Sequence, residues 1–171
     1  MTAKSYNFHR KGHWQGAVDY LLLSYDERFL RRRVLTTEAG AKLLVDLAQT
    51  SSVDDGDAFE LKTGGMVEVR AAEEALLAIT GDDLVRLAWH IGNRHTPCQI
   101  EPARLLIQRD KVLRDMLDKL GADVTEVTEP FTPEGGAYGH GRTHGHSHGD
   151  AHGHEHDHSQ NHHHDHHHDH A

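Results

Sequence analysis

Residues 140–171 contain no valine, leucine, isoleucine, methionine, phenylalanine, tyrosine or tryptophan. A stretch with almost nothing apolar to bury cannot offset the entropy lost on ordering, so it is expected to be disordered when free of metal. Any core must therefore come from the residues before it. Those residues are enough for one domain or two small ones.

The same stretch holds fifteen of the chain's 19 histidines: His140, His144, His146, His148, His152, His154, His156, His158, His162, His163, His164, His166, His167, His168 and His170. Imidazole suits nickel, zinc and copper. Near neutral pH many ring nitrogens are free to ligate. Runs such as "HGHSH" and "HGHEHDH" put two rings within reach of one ion, and glycines let the backbone wrap around it. Asp150, Glu155, Asp157, Asp165 and Asp169 add oxygen donors and soften repulsion among bound cations. Many overlapping sites of this kind bind several ions and exchange them readily. A purification tag would be an unbroken run, and this tract is interrupted and mixed. A solubilising acidic tail or a pH-responsive segment accounts for the charge but not for the density of histidine. The same ligands bind copper more tightly than nickel or zinc, so the tract does not name its metal.

The charge excludes other classes. The chain is acidic, at −9 with histidines neutral, and has no basic stripe for nucleic acid. No apolar run approaches the length of a membrane span, and the N-terminus lacks a signal-peptide core, which points to the cytoplasm. Cys98 is the only cysteine. That excludes an internal disulfide, a cysteine zinc finger and a CxxC pair, and Cys98 reads as a small buried side chain. No nucleophile elbow, phosphate loop or HExxH helix is present, so the chain is not expected to be an enzyme.

Residues 17–70 read as β-structure. "AVDYLLLSY" and "FLRRRVLTT" are strand-like, with Arg31 to Arg33 as a solvated strand face. "AFELKTGGMVEVR" alternates, turns at Gly64-Gly65 and alternates again, which predicts a hairpin. "TSSVDDGDA" reads as a loop, and "EAGAKLLVDLA" fits helix or strand equally. From Glu73 the pattern changes. "EEALLAI" reads as a strand. "TGDDLVRLAWHIG" reads as a helix, N-capped at Thr80 with acids in its first turn, whose face is Leu84, Leu87, Ala88 and Ile91. Trp89 and His90 read as the flank of that packed helix. "CQIEPARLLIQ" predicts two strands turned at Pro102-Ala103. "DKVLRDMLDKLG" predicts a helix capped by Asp110, with a stripe of Val112, Leu113, Met116, Leu117 and Leu120. "ADVTEVTE" supplies a last strand. The order β-α-β-β-α-β is that of the ferredoxin-like split βαβ.

Between the first helix and its following strand lies "GNRHTPCQ", residues 92–99. Helix termination explains Gly92, Asn93 and Pro97, the first two tolerating a left-handed conformation. It does not explain Arg94, His95 or Gln99. A lone loop histidine is ordinarily a surface residue, but a histidine-rich tail in the same chain favours a ligand role for His95.

This stretch resembles the signature of the UreE family of urease accessory proteins, which are nickel metallochaperones. "DKVLRDMLDKLGADV" is similar to the helix that follows the signature, and "PFTPEGGAYGH" to the lead into the tail. "RRRVLTTEAGAKLLVDL" and "DGDAFELKTGGMVEVRAAEEALLAI" are similar to the family's N-terminal domain. The resemblance implies an α+β chain in three parts. Residues 1–72 would form a β-rich partner- or peptide-binding domain. Residues 73–137 would form a ferredoxin-like domain for metal binding and dimerisation, and residues 138–171 a disordered metal-binding tail. It implies a homodimer in which His95 of each subunit binds Ni(II) at the shared interface, with tail histidines or water filling the open positions. The nickel is cargo, and Zn(II) or Cu(II) would find the same ligands. The implied partners are the urease apoprotein and its accessory proteins, including the urease accessory GTPase. One departure is that Arg109 and Lys111 stand where some members carry further histidines. The alternative is a nickel or zinc buffer with no dedicated recipient.

Metal must displace protons from imidazole, so nickel binding to the tract weakens as pH falls through about 6.5. Equilibrium dialysis at pH 5 and pH 7.5 measures this. Identical isotherms would assign the ions to carboxylates instead.

Overall fold

The structure is a computed structural model that describes residues 2–136. The expected disorder of residues 140–171 concerns a segment outside the described residues.

The first six strands are β1 (Ala3–His9), β2 (Ala17–Leu23), β3 (Phe29–Thr36), β4 (Lys42–Ser52), β5 (Ala58–Leu61) and β6 (Met66–Ala71). They form one mixed sheet in the order β2-β6-β5-β1-β4-β3. Alternate residues point inward along β2, β4 and β6, and Leu21, Leu23, Leu43, Val45, Leu47, Val67 and Val69 share one core with Phe59. The sheet curls enough for the turn after β3 to meet β2, where Glu38 N–H donates to Tyr20 O at 2.9 Å. That contact shields part of an otherwise open edge.

The β5-β6 hairpin forms where expected, and Leu61 N–H donates to Gly65 O at 3.0 Å. Gly64 and Gly65 have φ of +89° and +95°, which a side chain would resist. "EAGAKLLVDLA" resolves as strand: β4 lies between β1 and β3, and its period-two set Leu43, Val45 and Leu47 is buried. The strand runs on through Ser52, so Thr50 to Ser52 are not loop as the sequence suggested. β1 was not anticipated. Its one fully buried residue is a serine, Ser5, whose hydroxyl donates to Asn7 O at 2.9 Å, and its register with β5 slips between Ser5 and Asn7. A strand with a polar inward residue and a bulge shows no hydrophobic alternation.

The second unit runs β7 (Glu73–Thr80), α1 (Leu84–Gly92), β8 (Gln99–Ile100), β9 (Leu105–Gln108), α2 (Lys111–Lys119) and β10 (Asp123–Pro130). This is the β-α-β-β-α-β order read from the sequence. Its strands lie in the order β10-β7-β9-β8, each pair antiparallel. Leu77, Ile79, Leu105 and Ile107 face Leu87 and Ile91 of α1 and Leu113 and Leu117 of α2. Two details of the helices differ from expectation. Thr80 ends β7, and Asp83 caps α1 by accepting from Arg86 N–H at 3.0 Å, so both acids of "GDD" precede the first turn. Val112 lies off the buried stripe of α2 and is 69% exposed.

The opposite face of this sheet is also apolar. Leu76, Ala78 and Leu106 are covered by Phe131, with Tyr25 and Val127 packed alongside. Tyr25 comes from the first unit, and its ring meets Phe131 edge-on at 5.6 Å. Tyr25 N–H donates to Glu74 Oε2 at 2.8 Å. Arg28, 3% exposed, donates from Nη1 to Leu23 O at 3.0 Å and from Nη2 to Phe131 O at 2.6 Å. The two units are thus joined over the back of the second sheet. Phe131→Ala empties the centre of this joint and lowers stability by about 3 kcal/mol. Urea denaturation followed by circular dichroism reads the loss as an earlier midpoint, and an unchanged midpoint would show that the back face does not need its cover.

Candidate metal centre

The residues of interest begin where α1 ends. Leu87 and Ile91 anchor the helix to the sheet, and the chain then unwinds over three successive bonds. Asn93 N–H donates to Trp89 O at 2.8 Å, Arg94 N–H to Ile91 O at 3.1 Å and His95 N–H to Gly92 O at 2.9 Å. Asn93 keeps a right-handed conformation, with φ of −63°. The left-handed residue is His95 itself, at φ +56°, the only non-glycine with positive φ among the described residues. Gly92 and Asn93 therefore do not make the reversal that the sequence suggested for them. A side chain held there costs about 1–2 kcal/mol, a strain of the kind that collects at functional positions. The His95 side chain is exposed.

The neighbouring polar residues are turned to other tasks. Arg94 lies against α2, its Nε 2.9 Å from Met116 Sδ. Together with His90, Val112, Asp115 and Lys119 it lines a shallow groove between the helices. Gln99 donates through Nε2 to Glu101 Oε1 at 2.8 Å and accepts at Oε1 from Thr132 N–H, also at 2.8 Å. Cys98 packs against the core between sheet and helices, as a small half-buried side chain. Burial, with a smaller contribution from Glu134, pushes its thiol up to about 11, so it is protonated and a poor ligand at neutral pH. Arg109 is spent on the carbonyls of Leu76 and Val127, each at 3.2 Å.

Among the described residues, no three His, Cys, Asp or Glu side chains converge to hold an ion. His9 pairs with Glu60 at 2.9 Å. His13 shares a groove with Asp54 and Asp57, but Arg10 fills it, with Nη1 3.1 Å and 2.8 Å from those carboxylates. Of the sequence-predicted ligands, His95 lies among the described residues, in the loop after α1. His140, His144, His146, His148, His152, His154, His156, His158, His162, His163, His164, His166, His167, His168 and His170 lie outside the described residues.

Trp89, read from the sequence as the flank of the packed helix, is 62% exposed, and Val85, one turn earlier on α1, is 83% exposed. Together they present apolar surface to solvent on the helix that leads into the His95 loop. The signal was there: neither residue belongs to the set Leu84, Leu87, Ala88 and Ile91 that faces the sheet.

The described residues thus give two sheets, an exposed loop imidazole at His95 and no group of three candidate ligands around one ion site. Comparison with known proteins gives the family. The model described as UreE urease accessory protein, N-terminal domain, matches residues 2–72, and the one for the C-terminal domain matches residues 74–158. The urease accessory protein UreE of Ruegeria pomeroyi is 64% identical over 134 residues, which span 78% of this chain and 90% of that protein. Its namesake from Ruegeria sp. TM1040 is 60% identical over 137 residues, or 80% and 78% of the two chains. That of Cereibacter sphaeroides is 62% identical over 135 residues, or 78% and 74%. The chain belongs to the UreE family of urease accessory proteins.

The strain at His95 has a measurable signature. His95→Gly and His95→Ala both remove the imidazole, but only glycine tolerates φ of +56° without cost. The glycine variant is expected to be more stable than the alanine variant by about 1 kcal/mol. Chemical denaturation of the two side by side tests this, and equal stabilities would refute a strained loop.

Proposed function

We propose that this protein is a cytoplasmic, non-enzymatic nickel donor for urease assembly, acting as a homodimer. The observation that carries the reading is the incompleteness of the site. His95 is an exposed imidazole held at a strained φ, and no group of three His, Cys, Asp or Glu side chains forms an ion site among the described residues. One imidazole does not hold an ion firmly. A two-fold axis supplies a second copy, and the exposed pair Val85 and Trp89 on the same helix suits burial against that copy. A site built from one ligand per subunit keeps open positions, which suits transfer better than a closed cage. The tail histidines would bring further ions and ligands, and Zn(II) or Cu(II) would compete for them.

In this reading residues 73–137 carry dimerisation and the tight site, residues 138–171 carry capacity, and residues 1–72 engage partners. Those partners are the urease apoprotein and its accessory proteins, including the GTPase. The family's name favours this over a buffer without a recipient, because an accessory protein of urease has one. Arg31, Arg32 and Arg33 are all exposed on β3, an edge strand, which suits contact with an acidic partner.

The test uses three chains. His95→Ala should keep the fold and the dimer, lose the tight nickel site, and fail to activate urease at limiting nickel, with partial rescue by excess nickel. Trp89→Asp should yield folded monomers that also lack the tight site. A chain ending at Gly139 should lose most nickel capacity yet keep about one tight site per dimer, since one imidazole from each subunit makes one shared site. Nickel titration calorimetry with sedimentation analysis reads all three. Retention of both the tight site and full activation by folded His95→Ala would overturn the proposal.

A further inference from the structure

β3 is the last strand of the first sheet and pairs with β4 alone. Its other edge carries main-chain groups with no strand beside them, and the turn that ends β3 shows which groups they are. Thr37 N–H donates to Ala41 O at 2.9 Å, so these two residues form a hydrogen-bonded pair across β3 and β4. The register then runs unbroken from Thr36 opposite Lys42 to Arg32 opposite Asp46. Antiparallel bonding alternates along the pair. Leu35 and Arg33 therefore bond to β4, and Arg32, Val34 and Thr36 turn their N–H and C=O outward. Glu38 continues the outward series, and its N–H is taken by Tyr20 O at 2.9 Å. A main-chain partner thus occupies one end of the row, and among the described residues no strand lies along its centre.

The side chains along that row do not suit an edge that is merely guarded. A guarded edge carries a charge in place of apolar surface, most often a lysine. Here Arg31, Arg32, Arg33 and Val34 are exposed in succession, with Val34 57% and Phe29 40% exposed on the same strand. Three adjacent positive charges also stand out in a chain of net charge −9. The arginines are only loosely engaged. Arg32 Nε is 3.8 Å from Asp46 Oδ2 and Arg33 Nη2 is 4.0 Å from Glu27 Oε1, and Arg31 enters no ion pair among the described residues. Successive side chains point to opposite faces, so Arg32 lies with Val34 and Arg33 with Leu35. Guanidinium groups therefore flank the open row on both faces.

We infer that the free edge of β3 takes up an extended acidic segment of a partner protein as an added strand. The main chain at Arg32, Val34 and Thr36 supplies the ladder, and the arginines on the two faces bind carboxylates of the incoming strand. Val34 packs against an apolar side chain between them. The contact presupposes that residues 1–72 engage partners, as proposed above, and gives that engagement its chemistry. It also accounts for the residue type. The planar fork of arginine meets a carboxylate through two parallel bonds, whereas guarding an edge needs only a solvated point charge. A nucleic acid would satisfy the charges but has no amide edge to complete the ladder.

The probe is a fluorescein-labelled peptide of about ten residues that alternates glutamate and threonine, long enough to line the open row. Its companions are the same peptide with its inner amides N-methylated, a lysine-threonine counterpart, and a thymidine oligonucleotide of equal charge. Fluorescence anisotropy at low salt and about pH 7.5, where imidazoles are neutral, reads binding to the full-length chain. Two variants are compared, the triple change Arg31→Glu, Arg32→Glu and Arg33→Glu, and Val34→Pro. Proline is tolerated on an edge whose N–H faces solvent, so Val34→Pro deletes an outward donor and keeps β3 bonded to β4. Circular dichroism verifies the fold, and the N-methylated peptide puts the same question to the unaltered protein. The natural chain should bind the acidic peptide and not its lysine counterpart. Charge reversal should weaken binding about a hundredfold, and Val34→Pro or N-methylation about tenfold each. Unchanged binding with Val34→Pro and with the N-methylated peptide would mean a charge contact without an added strand. Equal affinity for the oligonucleotide would mean a general anion surface, and no binding of the acidic peptide would mean a guarded edge. Each of these overturns the inference. Urease activation at limiting nickel by the charge-reversed chain separates the two levels. Its loss beside a flat peptide series removes only the added strand, whereas full activation removes partner engagement by this face as well.

Discussion

The second sheet has two apolar faces and one pair of helices. Leu77, Ile79, Leu105 and Ile107 are satisfied by α1 and α2, which leaves Leu76, Ala78 and Leu106 to be covered from elsewhere. Phe131 provides that cover, and much of the molecule's organisation follows. The aromatic contact with Tyr25 ties the first unit to the second. Arg28 is buried because the carbonyl it grips belongs to Phe131. The chain beyond β10 must run across the sheet rather than away from it. A single burial requirement therefore sets both the joint between the units and the point from which the C-terminal segment departs.

The loop after α1 is organised by a different principle, since it places a polar side chain outward at a backbone cost. The loop after α1 closes with a histidine in a conformation that glycine would adopt more easily, and its other polar groups are engaged elsewhere. Arg94 is drawn onto α2, Gln99 is tied to Glu101 and Thr132, and Cys98 is sunk into the core. Among the described residues no group of three His, Cys, Asp or Glu side chains forms an ion site around His95. A residue kept at a cost for packing would be buried, and His95 is not.

Elements whose hydrophobic period matched their surroundings could be read from the sequence. The β5-β6 hairpin, the β-α-β-β-α-β order and the sheet-facing side of α1 followed from spacing, as did that of α2 apart from Val112. The failures have local causes. β1 turns a serine inward and carries a bulge, so no alternation is visible. "EAGAKLLVDLA" is locally ambiguous and becomes a strand because it pairs on both sides. Thr80 resembles an N-cap, but pairing with Asp123 on β10 holds it in β7 and the role passes to Asp83. In the loop after α1, the context marks His95 as the candidate ligand. Its left-handed backbone was not legible, since Gly92 and Asn93 are the residues that sequence rules nominate. The exposure of Trp89 and the return of residues 131–136 across the sheet depend on tertiary contacts that no local pattern encodes.

Cys98 carries a consequence for the donor atoms that the loop presents. Soft thiolate and thioether sulfurs are what draw monovalent copper. Here the one thiol is kept protonated by burial, and the thioether nearest the loop, Met116, is engaged by Arg94. The loop is therefore left with a borderline nitrogen donor and no available soft one. A soft monovalent ion would meet neither a thiolate nor an unengaged thioether beside this loop.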